Sequence, residues 1–139
     1  MGVVVMKGWG VRIGLDLSVD AVKISGGLLD WLYKQIGCRI VQMVQIPADV
    51  FGRDDIILMV DEEGLLKEDP HGNLVASVLC GQTIVGNAVL LRVGETEDGD
   101  LDWMGLKDWD EAAEICGQTY VTVVTTVERL KGGKVHEED

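Results

Sequence analysis

Two apolar stretches between Arg39 and Gly64 give the strongest pattern in the chain. Residues 40–46 are rich in β-branched side chains and are followed by Pro47, and residues 56–60 are apolar on both faces of a period-two pattern. Both stretches predict β-strands. Because a strand that is apolar on both faces needs cover on both sides, we expect this pair in the middle of a sheet that helices or a second layer cover.

Apolar and polar residues alternate upstream of this pair, over residues 11–18, and predict a strand with one solvated face. Residues 21–24 are expected to return as a short hairpin partner. Apolar residues then recur at helical spacing over residues 27–36, and Gly37 is suited to a left-handed C-cap. The pattern therefore predicts a helix that packs its apolar stripe on the sheet.

The middle of the chain combines a short helix with a long strand. Asn73 can cap a helix over residues 74–79. Residues 83–93 form a long strand pattern, in which Gly86 indicates a bulge or the close approach of another backbone. The acidic and polar residues 94–102 that follow predict a loop or a wide hairpin.

The C-terminal region predicts a helix, a strand and a tail. Asp108 and Glu111 have the spacing of a capping box, and Gly117 is expected to close the helix that they begin. Residues 120–127 are almost entirely β-branched, which predicts a strand. Residues 128–139 are highly charged and are expected to form a disordered tail.

The predicted order of elements, β-β-α-β-β-α-β-α-β, lacks the regular alternation of a doubly wound α/β protein. We therefore predict the α+β class, with a mixed, mostly antiparallel sheet and two to three packed helices. At 139 residues the chain suits a single domain, which we place at residues 1–127, and it can bury a sizeable core without metal or disulfides.

Charge and cysteine content narrow the function and the compartment. The chain has 24 acidic and 12 basic residues, a net charge of −12, which disfavours direct binding of nucleic acid or an anionic membrane. Its three cysteines are odd in number and far apart, which favours a reducing compartment. With no apolar run long enough for a signal peptide or a membrane span, the sequence predicts a cytoplasmic protein.

Candidate binding residues lie in two acidic segments and at one tryptophan. The carboxylates after residues 56–60 could serve acid–base chemistry or a cation, but a polar turn is the simpler interpretation. The acidic loop after residues 83–93 lacks the spacing of an EF-hand, so a solvated loop is favoured there as well. A tryptophan that follows this loop is a candidate interface anchor. The candidate binding residues are Trp103, Asp98, Asp100, Asp102, Asp61 and Glu62.

Catalytic and metal sites find little support in the sequence. Cys80 and His71 could form a nucleophile–base pair, but no third orienting group is apparent, and an inert buried thiol is favoured. The cysteines are not paired at the spacing of zinc ligands, and the glycine-rich stretches lack the lysine and the context of a phosphate-binding loop. The sequence thus predicts a non-enzyme with no cofactor and no metal.

Four features occur in order between residues 29 and 93: Gln35-Ile36-Gly37, Val60-Asp61-Glu62-Glu63-Gly64, the helix start at Asn73 to Ala76, and Thr83-Ile84-Val85-Gly86-Asn87-Ala88-Val89. In these features this part of the chain resembles a family of short proteins encoded by bacteria, plasmids and phages, the domain of unknown function 3846. Residues 1–10 and the segment after Gly117 do not match. The resemblance implies a phage or mobile-element setting and no assigned activity.

Three hypotheses follow. The first is a non-catalytic acidic binding protein that interferes with host defence, by binding either a host protein with a basic face or a small signalling nucleotide. The second is a small enzyme built on Asp61, Glu62, His71 and Cys80, and the third is a structural or assembly protein. We also expect a homodimer, formed through a sheet edge or an apolar surface such as the strand predicted at residues 120–127.

Overall fold

A six-stranded antiparallel sheet forms the centre of the protein. The computed structural model describes residues 8–137, with side chains up to Gly132. The strands are β1 (Trp9–Ile13), β2 (Val19–Lys23), β3 (Val41–Gln45), β4 (Ile56–Asp61), β5 (Ala88–Glu95) and β6 (Leu101–Met104). The helices are α1 (Leu28–Ile36), α2 (Ala48–Phe51), α3 (Leu74–Cys80) and α4 (Trp109–Glu137), with a 3-10 turn at Gly64–Leu66.

The strands run in the order β2-β1-β5-β4-β3, and β6 pairs with the second half of β5 on the side where β1 pairs with the first half. Strand β4 is buried along its whole length, as its apolar sequence requires, and it lies inside the sheet between β5 and β3. Strand β3 lies at the edge instead of the middle. Its pattern allows this because Gln42 and Gln45 can remain in water.

Helices cover both faces of the sheet, which confirms the predicted α+β class. One face packs against α2, α3 and α4, and the other packs against α1. The first core contains Val11, Ile13, Leu58, Leu90, Leu79, Leu106 and Ile115, among others. The second contains Ile24, Trp31, Leu32, Ile57, Met59, Val89 and Leu91. Because successive side chains of a strand point to opposite faces, β4 and β5 contribute to both cores.

Helix α4 replaces the strand predicted at residues 120–127 and passes through Gly117 without ending there. Its inner stripe places Ala112, Ile115 and Thr119 against the core, with Val123 partly buried beside them. This tertiary contact outweighs the strand preference of the β-branched residues. The helix also continues into residues 128–137, where the sequence predicted a disordered tail; residues 1–7 and 138–139 lie outside the described part of the chain.

Residues 94–102, for which the sequence predicts a loop or a wide hairpin, form the turn and the adjoining strand ends of the β5–β6 hairpin. Thr96 N–H donates to the Asp100 carbonyl at 2.7 Å, and Gly99 N–H donates to the Thr96 carbonyl at 2.9 Å. Gly99 has a φ of 84°, which the tight turn requires. The long strand predicted at residues 83–93 begins only at Ala88, because the preceding residues turn toward α3.

Candidate functional site

Helix α1 covers only part of its face of the sheet. It packs over β5 and β4, and its Trp31 ring lies over Gly10 and beside Val89. The remainder of this face carries partly exposed side chains from β3, the second half of β5 and β6. We call this surface the open face, and its residues are Met43, Gln45, Val93, Leu101 and Trp103.

Strand β6 contributes two apolar side chains to the open face. Leu101 is 74% exposed, whereas Trp103 is half-buried against the core beneath α1. The backbone register sets Val93 opposite Trp103, and β3 contributes Met43 from the other side of β4. Met43, Gln45, Val93 and Leu101 line part of a groove of about 690 Å³, which continues to Pro47 and Asp54. Its size is within the range of ligand and peptide sites.

Acidic residues border the open face at the hairpin. Asp98 and Asp100 lie in the turn between β5 and β6, whereas Asp102 lies on β6 between Leu101 and Trp103 and its side chain therefore points to the opposite face of the sheet. All three are exposed, and the Asp102 carboxylate accepts the Trp103 backbone N–H at 2.8 Å. An apolar centre with a charged border is the usual arrangement of a protein-binding surface. The structure thus brings four of the six predicted binding residues together on one hairpin.

The other two predicted residues, Asp61 and Glu62, lie at the opposite end of the sheet. Asp61 lies five residues along β4 from Ile56, which pairs with Arg92 of β5. Gly94, the pairing partner of Asp102, lies two residues further in the same direction along β5. At about 3.3 Å per residue this amounts to roughly 20 Å. The structure therefore does not support one acidic site made from both segments.

Asp61 has a structural role in its own surroundings. Its side chain is 5% exposed, accepts the Glu63 backbone N–H at 2.8 Å and forms an ion pair with Lys67 Nζ at 2.7 Å. Neighbouring Arg39 and Glu63 form a bidentate pair at 2.9 and 3.2 Å, which lowers the pKa of Glu63. These bonds hold the polar turn that the sequence predicts after β4.

A pocket of about 540 Å³ lies beside this turn, and Tyr33, Cys38, Arg39 and Lys67 line part of it. Its two cations are already paired with carboxylates, so little unneutralised positive charge faces a ligand. Burial, followed by the Asp61 charge, raises the pKa of the Cys38 thiol. The thiol is therefore a poorer nucleophile at neutral pH than an ordinary cysteine.

The remaining candidate chemical groups are dispersed. Cys80 ends α3 and His71 precedes it, so a helix of seven residues, roughly 10 Å long, separates them. Burial raises the pKa of both Cys80 and Cys116. Within residues 8–132, no three His, Cys, Asp or Glu side chains are grouped so that they could hold a metal ion. Over the described residues, no helix has both the length and the apolar character of a membrane span.

Sequence reasoning missed the contribution of Met43, Val93 and Leu101 to the open face. A usable signal was present: Asp98-Gly99 is a typical hairpin turn, and Leu101 and Trp103 alternate with polar neighbours. Trp31 and Trp109 both lie at helical positions, but Trp31 in α1 is 4% exposed, whereas Trp109 is 56% exposed at the start of α4.

Comparisons with known proteins add a likeness of fold. No family model matches the chain, so the resemblance to the domain of unknown function 3846 stays a prediction. No curated protein matches it either. The chain is similar to part of the crystal structure of small RNA methyltransferase HEN1, with a TM-score of 0.55 and 23% identity. The match covers 79% of this chain but only 16% of that one, and at this identity it shows the fold alone.

Proposed function

We propose that the protein is a non-catalytic binding module that recognises a basic partner protein through the open face. The observation that carries this proposal is the apolar sheet surface that α1 leaves uncovered next to the acidic hairpin. Trp103 and Leu101 supply the apolar anchors, and Asp98 and Asp100 in the adjoining turn attract lysine and arginine side chains.

The resemblance to a phage and mobile-element family adds a setting to this proposal. In that setting the partner is a host protein, and its occupation interferes with host defence. A small nucleotide is the weaker alternative. Arg39 and Lys67, which line the pocket of about 540 Å³, are both paired with carboxylates, so little positive charge remains there for a phosphate group. A catalytic role at that pocket gains no support from Cys38, whose pKa is raised.

The test is a selection of random peptides on the purified protein, followed by affinity measurements with the recovered sequences. We expect basic peptides that contain at least one large apolar residue, and binding that weakens with added salt. Trp103→Ala should weaken binding by about 30-fold or more, as is typical of a tryptophan hot spot. Leu101→Ser should weaken it as well.

Matched controls come from residues of the same type outside the open face. Trp109→Ala removes a tryptophan that is 56% exposed, and Leu66→Ser removes a leucine that is 82% exposed. Neither should change the affinity by more than about twofold. Recovery of acidic peptides, or an affinity that Trp103→Ala leaves unchanged, contradicts the proposal.

A further inference from the structure

Strand β3 is an open sheet edge without the usual protection against pairing. Its sequence, Val-Gln-Met-Val-Gln, has no charge, no proline and no glycine. Over residues 8–137, only β4 pairs with it. The opposite edge strand, β2, carries Asp20 and Lys23 and has α4 packed against it. Since proteins usually block edges with charges, prolines or covering elements, an uncharged open edge indicates a place for a further strand.

The hydrogen bonds between β3 and β4 show which backbone groups of β3 point toward the free edge. Glu62 N–H donates to the Ile40 carbonyl at 3.0 Å, and in an antiparallel ladder hydrogen-bonded pairs alternate with non-bonded ones. Residues 42 and 44 therefore bond to β4. The backbone N–H and C=O groups of Val41, Met43 and Gln45 point away from the sheet, toward the free edge.

We propose that a second copy of this chain pairs with β3 through its own β3, antiparallel and with Met43 opposite Met43. This register places Val41 opposite Gln45 of the second copy, and Gln45 opposite its Val41. All three outward-pointing residues of each copy then lie in hydrogen-bonded pairs, so every free N–H and C=O of the strand gains a partner. The proposal goes beyond the proposed function and does not depend on it.

The charges around the strand favour the antiparallel arrangement. Glu63 neutralises Arg39 at the amino end of β3, whereas Asp49 and Asp54 lie beyond the carboxyl end of the strand. Antiparallel pairing keeps the Asp49 and Asp54 carboxylates of the two copies at opposite ends of the contact, while a parallel arrangement would bring them together. The net charge of −12 opposes association, and at physiological salt it is screened beyond about 8 Å.

A two-fold axis perpendicular to the sheet keeps both open faces on the same side of the assembly. Val41, Met43 and Gln45 of each copy lie side by side there, so the second copy extends the apolar surface that β3 begins. The contact is small, so we expect a dissociation constant on the order of 10 µM.

The test is a charge-reversal pair at Met43, followed by light scattering after size exclusion and by sedimentation. Met43→Lys and Met43→Glu should each raise the dissociation constant of the dimer at least tenfold, because like charges then meet across the axis. An equimolar mixture of the two variants should recover a dimer. The same pair of substitutions at Leu66, exposed and outside β3, should leave the dimer unchanged.

Amide hydrogen exchange provides a readout that does not depend on any variant. The amides of Val41, Met43 and Gln45 should become protected as the protein concentration rises, whereas those of Gln42 and Val44 should be protected at every concentration. A native protein that stays monomeric at 200 µM, roughly twentyfold above the expected dissociation constant, overturns the proposal. So does a mixture of the two Met43 variants that does not associate, or exchange at Met43 that is independent of concentration.

Discussion

At the scale of single residues, the side chain of Asn73 makes hydrogen bonds to three segments of the fold. Its side-chain NH2 donates to the Ile13 carbonyl at 3.0 Å and to the Gly86 carbonyl at 2.9 Å, and its side-chain oxygen accepts the Ala76 N–H at 3.1 Å. The side chain is buried, with only 1% of the residue exposed. One amide thus joins the end of β1, the segment before β5 and the first turn of α3.

Replacement of Asn73 should be among the most damaging polar substitutions in the chain. Asn73→Ala removes the cap of α3 and leaves two carbonyl groups without this partner, so we expect roughly 2–4 kcal/mol of lost unfolding free energy. Urea denaturation measures this. Gln82→Ala, at an exposed position nearby, should change the value by less than about 0.5 kcal/mol. A loss of that small size for Asn73→Ala would contradict the role assigned to the side chain.

Gly86 is required for its backbone conformation, not for lack of space. Its φ is +85°, and nothing lies within 4 Å of the position a Cβ would take. Gly86→Ala should therefore cost about 1–2 kcal/mol of unfolding free energy through strain, and Gly86→Val should cost more. The control is Gly72→Ala, which meets equally open space without a positive φ. Equal urea midpoints for the two alanine variants would show that the conformation of Gly86 is incidental.

At the scale of secondary-structure elements, α4 departs most from its local preferences. Residues 119–127 contain eight β-branched residues and Tyr120, a composition that favours a strand. Thr119 and Thr126 bond their hydroxyl groups to the carbonyls of Ile115 and Thr122 at 2.8 Å, which satisfies them inside the helix. The packed stripe of Ala112, Ile115 and Thr119 then keeps the segment helical.

Alanine substitutions on the two sides of α4 should have opposite effects. Val124 is 58% exposed, so Val124→Ala should raise the unfolding free energy by a few tenths of a kcal/mol, roughly the difference in helix propensity. Val123 packs against the core, so Val123→Ala should lower it. Thermal unfolding followed by circular dichroism distinguishes the two. Destabilisation by Val124→Ala would favour the strand that the sequence predicts.

Much of the element pattern could be predicted because it rests on local periodicity and caps. The helix at residues 27–36 ends at Gly37 with a φ of 76°, and β4 is the buried strand that its apolar run requires. The alternation around Leu101 and Trp103 could indicate a strand, but the extent of the open face could not be predicted, since it depends on where α1 stops covering the sheet. The fate of residues 120–127 likewise depends on distant packing that no local pattern records.

At the scale of the whole molecule, Arg53 connects two parts of the fold. Its guanidinium bonds the Asp55 carboxylate at 2.6 and 2.7 Å, and it bonds Glu111 of α4 at 3.0 Å. The hydrogen bond from Arg53 lowers the pKa of Asp55. Partial burial acts in the opposite direction, and the positive charge of Arg53 lowers the pKa further. The interaction joins the first turn of α4 to the loop before β4.

Stability should depend on pH through Asp55. A carboxyl group with a lowered pKa in the folded state stabilises the fold above its unfolded pKa of about 3.9, and this contribution is lost as the pH falls through the folded value. The difference in unfolding free energy between the native protein and Asp55→Asn should be roughly 1 kcal/mol above pH 5 and shrink below about pH 4. Urea titrations at several pH values measure it.

The neighbouring Asp54 provides a control for the substitution itself. Asp54 is exposed, and at neutral pH Asp54→Asn should change the unfolding free energy by less than about 0.5 kcal/mol. A difference for Asp55→Asn that grows toward acid pH would reverse the sign and contradict the assignment.

The position of α4 after all six strands has a consequence for synthesis on the ribosome. Ala112 and Ile115 cover the inner side of the β1–β2 hairpin, where Val11 and Val19 are buried. About 90 residues separate the end of β2 from Ala112, and at roughly 5–20 residues per second they take on the order of ten seconds to translate. During that interval the nascent hairpin lacks its cover, so a chaperone that binds apolar segments should engage this protein before release.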